Sequence, residues 1–251
     1  MNEYNKKILL ITTGGTIASV NTKDGLVPAG SEILKNEIEH LRAYYAIEVC
    51  DLMCLDSSNI QPEEWVKIAR CVFDRRAGVD GIVITHGTDT MAYTSSILSF
   101  MLRNIDIPVV LTGAQLPMQN PISDAFDNLR TAFLMAASGR AGVFVAFDRH
   151  VMLGCRAVKV RAESFDAFES VNRRYAARVT TGGLVVDEEV LPHVHGAPML
   201  VDKVSTDVFL IKLTPGLSPR VFDALCDMGY RGIVVEAFGV GGMHFVHRDL
   251  A

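Results

Sequence analysis

The chain has 251 residues, 49% hydrophobic and 21% charged, with a formal net charge of −5. That apolar share excludes a disordered chain, and no apolar run approaches the ~18 residues a membrane span needs. The mild acidity argues against a nucleic-acid partner bound by phosphate neutralisation. Five cysteines, Cys50, Cys54, Cys71, Cys155 and Cys226, form no CxxC pair and are odd in number, which points to a reducing compartment. The apolar stretch after Lys6-Lys7 is too short for a secretory leader, so the expected location is cytoplasmic.

Residues 7–12 form an apolar run that ends at Gly14-Gly15 and reads as a buried parallel strand. Gln61-Pro62-Glu63-Glu64 opens a helix, with proline in its first turn and acids where the dipole favours them. Trp65, Ile68, Ala69, Val72 and Phe73 then follow 3.6 spacing. The strand pattern returns at 81–86 before Gly87, with a helix over 91–102, and again at 108–112 before Gly113. Ser123-Asp124 opens the next helix, with Phe126, Leu129, Ala132, Phe133 and Ala136 on one side and Gly139 as its stop. A fourth strand covers 142–147. This alternation implies an α/β fold with a mostly parallel, doubly wound sheet.

From Gly182 to Ser205 the pattern loosens and reads as a linker. Residues 208–213 and 232–236 then read as strands around a helix that carries Phe222, Leu225 and Cys226. The expected organisation is an N-terminal α/β domain over 1–182, a linker over 183–205 and a smaller, incomplete α/β domain over 206–251. Two strands and one helix leave apolar faces with too little to cover them.

In open α/β sheets, ligands bind beyond the carboxyl ends of the parallel strands. Three strands end there in hydroxyl or imidazole residues beside glycine: Thr13-Gly-Gly-Thr16, His86-Gly-Thr-Asp-Thr90 and Thr112-Gly-Ala114. Each piece also has a plainer reading. Gly14-Gly15 suits a tight turn, Asp89 and Thr90 suit helix caps, and His86 suits a packed strand end. Lys159, between Val158 and Val160, suits a solvated strand. No GxGxxG, GxxxxGK[ST] or GxSxG motif occurs, so nucleotide binding and the α/β-hydrolase triad lack support. His193-x-His195 and His244-x-x-His247 have loose ligand spacing without a third ligand nearby, so no metal site is expected.

The pieces together, in this order, resemble the asparaginase/glutaminase family, most closely its cytoplasmic bacterial branch. The matching stretches are 10–18 (LITTGGTIA) and 81–91 (GIVITHGTDTM), supported by Asp56-Ser-Ser-Asn-Ile60, Val110-Leu-Thr-Gly-Ala-Gln115, Ala157-Val-Lys-Val160 and Ser164-Phe-Asp-Ala-Phe168. The likeness runs over essentially the whole chain. It implies an amidohydrolase that converts L-asparagine to L-aspartate and ammonia without metal or organic cofactor. By position, Thr16 would be the nucleophile, and Thr88, Asp89 and Lys159 a second catalytic cluster. Ser57 and Asp89 would hold the substrate's α-carboxylate and α-ammonium, with Ser58 close by. Backbone groups around Gly15, Gly87 and Ala114 would line the pocket.

A homodimer or homotetramer is implied for a full-length form, with no membrane or nucleic-acid partner. Leu26 stands where many members carry a lid tyrosine, and Gly242 where secreted members carry asparagine. The chain also ends short of the family's full C-terminal domain. Two readings stand beside the first: the ammonia-releasing component of a tRNA-dependent amidotransferase, and a truncated, inactive chain that only binds amino acids.

Overall fold

Strand β1 (Lys6–Gly14) is buried at every residue from Ile8 onward, a pattern that requires cover on both faces of a sheet. The computed structural model describes residues 6–22, 25–28 and 30–243. In chain order β1 is followed by β2 (Ser19–Thr22), β3 (Gly25–Pro28), α1 (Lys35–Leu41), β4 (Tyr45–Leu55), α2 (Pro62–Arg75) and β5 (Gly81–Thr85). Then come α3 (Met91–Met101), β6 (Leu102–Arg103), β7 (Pro108–Thr112), α4 (Ala125–Ala136), β8 (Gly142–Phe147) and β9 (His150–Leu153). The hairpin β10 (Ala157–Lys159) and β11 (Phe168–Ser170) precedes β12 (Ala177–Thr180), β13 (Gly183–Val186) and β14 (Met199–Leu200).

The main sheet has eight strands in the order β13-β12-β9-β8-β7-β5-β1-β4. The five from β8 to β4 pair in parallel, as the sequence implies. The other three extend the sheet antiparallel. From β1 the chain lays β4 on one side and β5 on the other. Successive crossovers therefore leave in opposite directions, and a crevice opens between the carboxyl ends of β1 and β5.

On one face Ile8, Leu10, Val83, Val110 and Phe144 form a single core cluster with Ile38 and Leu41 of α1 and Leu129, Ala132 and Phe133 of α4. Each fully buried side chain of this kind contributes roughly 1.5–3 kcal/mol. Helix α2 buries Ile68, Ala69 and Val72, and the Glu64 carboxylate accepts from the Gln61 N–H across its first turn. In α4 the buried face is broader than the spacing implies and also takes in Ala125, Asn128, Thr131 and Met135, but it leaves out one expected residue. Phe126 is exposed, with the Arg130 guanidinium 5.9 Å from its ring centre.

The chain divides into two compact units, Met1–Asp202 and Lys203–Ala251. The stretch expected as a linker over 183–205 is thus largely part of the first unit. Thr181-Gly182 is the turn of the β12–β13 hairpin, and Met199–Leu200 pairs with β6. A turn-rich stretch hid these strands because each is only two to four residues long. The second unit holds β15 (Val208–Lys212), α5 (Arg220–Asp227) and β16 (Gly232–Glu236), the two strands paired in parallel. Leu225 is buried on its helix, whereas Cys226 is exposed. Among the described residues, no helix is long and apolar enough to cross a membrane. The side chain of Leu26, and His244 and His247, lie outside the described part of the chain.

Candidate active site

The crevice is built on backbone contact. Gly15 follows β1 with φ +81°, and a Cβ placed on it would lie 2.3 Å from the Gly87 nitrogen, just beyond β5. A Cβ on Gly87 would in turn lie 2.5 Å from Ser57 Oγ, just beyond β4. Only glycine allows three adjacent strand ends to converge so closely. The result is a small polar cleft of about 80 Å³ lined by Gly15, Thr16, Ser19, Asp56, Ser57, Gly87, Thr88 and Asp89. Larger hollows of about 580 Å³ beside Phe100 and about 750 Å³ beside Tyr44 lie on other residues. The strand-end topology and the converging hydroxyls, rather than volume, make the cleft the candidate site.

Lys159 comes from the β10–β11 hairpin. Its Nζ donates to Thr88 Oγ1 at 2.8 Å and to Asp89 Oδ1 at 2.7 Å. The lysine side chain is 16% exposed and the Asp89 side chain 63%, so the pair is shielded on one side only. Lys159 is therefore part of this cluster and not a solvated strand lysine. Thr90 stands at the N-cap position of α3, but neither its side chain nor that of Asp89 caps the helix. Asp89 faces Lys159, while Thr90 Oγ1 donates to the Ser57 carbonyl at 2.8 Å and makes no side-chain cap.

Ser57 is 3% exposed and opens a short 3-10 turn that Asp56 caps by accepting from the Ser58 N–H at 2.8 Å. Ser58 itself is exposed and does not line the cleft. The Ala114 side chain is buried in the apolar core cluster and is not among the residues that line the cleft. The Gly15 N–H donates to the Leu55 carbonyl at 3.1 Å, so it is engaged in joining two strand ends.

The other strand-end polar groups serve the fold. Thr13 Oγ1 donates to the Thr85 carbonyl at 2.8 Å and Thr112 Oγ1 to the Ala146 carbonyl at 2.9 Å, both fully inside. His86 is fully buried. Its Nδ1 lies 2.7 Å from the Gly87 carbonyl oxygen and its Nε2 2.9 Å from Thr94 Oγ1, which also accepts from Trp65 Nε1 at 3.0 Å. A carbonyl only accepts, so the partners assign the proton to Nδ1. Burial lowers the His86 pKa to about 4, against a smaller opposing effect of the Gly87 hydrogen bond. The packed-histidine reading of His86 agrees with this geometry.

Ser19 escaped sequence reasoning, and Asp56 and Gln115 stood in matching stretches with no role assigned to them. Ser19 Oγ donates to the Gly15 carbonyl at 2.7 Å. Asp56 directly precedes two serines, a local capping signal that was legible. Gln115 lies 3.3 Å from the Thr88 hydroxyl.

A doubly wound sheet with hydroxyls, an ammonium and a carboxylate gathered at its switch point defines an α/β enzyme with a candidate site at the carboxyl ends of its strands. A family model described as Asparaginase, N-terminal, matches residues 7–191. The chain is 46% identical to the L-asparaginase of Thermococcus kodakarensis over 247 residues, 97% of this chain and 74% of that one. The structure of the thermostable L-asparaginase from that organism matches with a TM-score of 0.88, 44% identity, and the same two coverages.

A probable cytoplasmic L-asparaginase from Campylobacter jejuni matches with a TM-score of 0.79 at 30% identity, over 95% of this chain and 76% of that one. A glutamyl-tRNA(Gln) amidotransferase component from Methanothermobacter thermautotrophicus is 36% identical over 254 residues, 93% of this chain but 56% of that one. The chain belongs to the asparaginase family.

Proposed function

We propose that this chain hydrolyses the side-chain amide of L-asparagine, with Thr16 as the nucleophile. The supporting observation is the meeting of Thr16 with the Thr88–Lys159–Asp89 cluster at one cleft. In the first half-reaction Thr16 Oγ1 bonds to the amide carbon, the C–N bond breaks, and the threonine proton leaves with the nitrogen as ammonia. In the second, a water held at Thr88 attacks the acyl-Thr16 ester. The C–O bond to Thr16 breaks, and the proton lost by the water ends on Thr16. A threonine hydroxyl is a weak nucleophile and needs proton-handling groups within hydrogen-bond reach, which suits the adjoining cluster.

Lys159 occupies Asp89 Oδ1, and the exposed carboxylate keeps acceptor sites for an α-ammonium. Ser57, at the cleft wall, supplies a hydroxyl for the α-carboxylate. No step calls for a metal or organic cofactor. The same reading implies a homodimer or homotetramer for a full-length form and a cytoplasmic location, the latter in line with the Campylobacter neighbour's description as a probable cytoplasmic enzyme.

Ammonia release by the purified chain, given L-asparagine or L-glutamine and no tRNA or partner protein, tests the reading. Release from asparagine supports it and sets it apart from an amidotransferase component that works only in a complex. No release from asparagine overturns it.

A further inference from the structure

Thr88 can hold a water in a useful orientation only if its own hydroxyl proton points elsewhere. Gln115 decides where that proton points. Its Nε2 donates to the Ala162 carbonyl at 2.8 Å and to the Ser164 carbonyl at 2.9 Å. Both amide hydrogens are thereby spent on groups that cannot donate, so the amide has one orientation and Oε1 faces Thr88 Oγ1 at 3.3 Å. An amide oxygen only accepts, so the Thr88 hydroxyl is the donor. One lone pair of Thr88 Oγ1 already accepts from Lys159 Nζ at 2.8 Å. Thr88 also lines the cleft, and one lone pair of its Oγ1 is left for a group bound there.

The backbone of Gln115 is also pinned. Its N–H lies 3.0 Å from both carboxylate oxygens of Asp124, which also accepts from the Leu116 N–H at 3.1 Å and from Asn128 Nδ2 at 2.9 Å. Asn128 Nδ2 donates as well to the Gly113 carbonyl at 3.0 Å. The loop after β7 is thus fixed from behind by α4, and the Gln115 side chain carries that fixity to Thr88 and to residues 162–164, just beyond Lys159.

We infer that Gln115 is a positioning residue for the hydrolytic half-reaction: it draws the Thr88 proton away from the cleft, so that Thr88 presents an acceptor to the attacking water. The inference rests on the asparaginase reading. The water donates one hydrogen bond to Thr88 Oγ1 while its oxygen bonds to the acyl carbon. As the C–O bond to Thr16 breaks, the released proton ends on Thr16, and Thr88 keeps its own proton, on Gln115, throughout. Without Gln115, the Thr88 hydroxyl is free to turn its hydrogen toward the cleft and repel the correctly oriented water.

Gln115→Met keeps the length of the side chain and removes both the acceptor and the donors. In the purified, folded variant, kcat for asparagine hydrolysis should fall roughly tenfold or more while KM changes less than about threefold, the pattern of a lost transition-state interaction. Hydroxylamine attacks an acyl ester without an oriented acceptor. It should therefore restore turnover as aspartyl hydroxamate in Gln115→Met, raising the ratio of hydroxamate to aspartate well above that of the wild type.

Should Gln115→Met not fold, Gln115→Asn keeps an amide withdrawn by one methylene and is read by the same ratio. An active wild type beside a variant with unchanged kcat, or with hydrolysis and hydroxamate formation reduced equally, would overturn the inference alone. A wild type that releases no ammonia from asparagine would overturn the asparaginase reading and this inference with it.

Discussion

Lys159 reaches Thr88 across 71 positions of sequence and places its ammonium nitrogen 2.8 Å from the threonine oxygen. The contact joins the β10–β11 hairpin to the loop after β5, two parts of the first unit that share no strand pairing. Replacing Lys159 with methionine keeps the stem and removes the charge. Activity on asparagine should fall by about 10²–10⁴, the range of a lost proton-handling group. The Asp89 partner is largely exposed, so the melting temperature should move by no more than a few degrees. Parallel kinetics and thermal melts check this. A variant that melts far lower but keeps its kcat would make Lys159 a structural residue.

The Gly15–Gly87 approach predicts a different balance. Gly15→Ala places a Cβ against the Gly87 backbone at a positive φ, where neither side can yield cheaply. Strain and overpacking together should cost roughly 2–4 kcal/mol and also reduce activity, because the same displacement moves Thr16. Urea unfolding beside ammonia release measures both. Wild-type stability would mean that the three strand ends are not held as closely as described.

Asp89 is read as the anion for the substrate's α-ammonium. Asp89→Asn should lower kcat/KM for asparagine by about 10² or more, consistent with losing a charge-assisted contact, while folding changes little. Titration of substrate analogues that lack the α-amino group sharpens the test. These should lose far less than asparagine on the same substitution, and an equal loss would contradict the assignment.

Acid stability follows from His86. Its pKa of about 4 in the folded chain lies below the ordinary 6.5. Between those values the unfolded chain binds a proton that the folded chain does not, so stability falls as the pH is lowered, by up to about 3 kcal/mol. Asp51 acts in a lower window. Burial would raise its carboxyl, yet donation by Thr12 and Ser31 outweighs burial and holds it below 3.8. Its contribution is complete above that value and is lost only below it. Urea unfolding from pH 7 to pH 4 should therefore show a slope that His86→Gln flattens. Identical slopes in the two proteins would remove His86 as the cause.

The sequence carried the parallel half of the main sheet plainly. Ile8–Ile11, Ile82–Ile84 and Val109–Leu111 are continuous apolar runs because both faces are covered, and each ends at a glycine that the topology needs. The antiparallel edge was harder to read. Strands of three or four residues, such as β12 and β13, bury too little to leave a period. The cleft was half legible. Thr13 and Thr112 look like Thr16 and Thr88 in sequence, yet their hydroxyls donate to backbone carbonyls inside the sheet. Composition does not separate a hydroxyl that binds backbone from one that faces a ligand. The role of Gln115, quoted only as part of a matching stretch, was not legible for a related reason: it comes from the carbonyls of residues 162 and 164, some fifty positions away, and from the Thr88 hydroxyl.

Thr16 carries the proposed covalent chemistry. Thr16→Ala removes one hydroxyl from a half-buried residue at the cleft and leaves the strand ends in place. Steady-state ammonia release from L-asparagine, measured on wild type and Thr16→Ala at matched circular dichroism, is the most direct test. In the variant kcat should be lowered by about 10³ or more with the fold retained, as expected when a covalent nucleophile is lost. A kcat close to that of the wild type in the folded variant would contradict it.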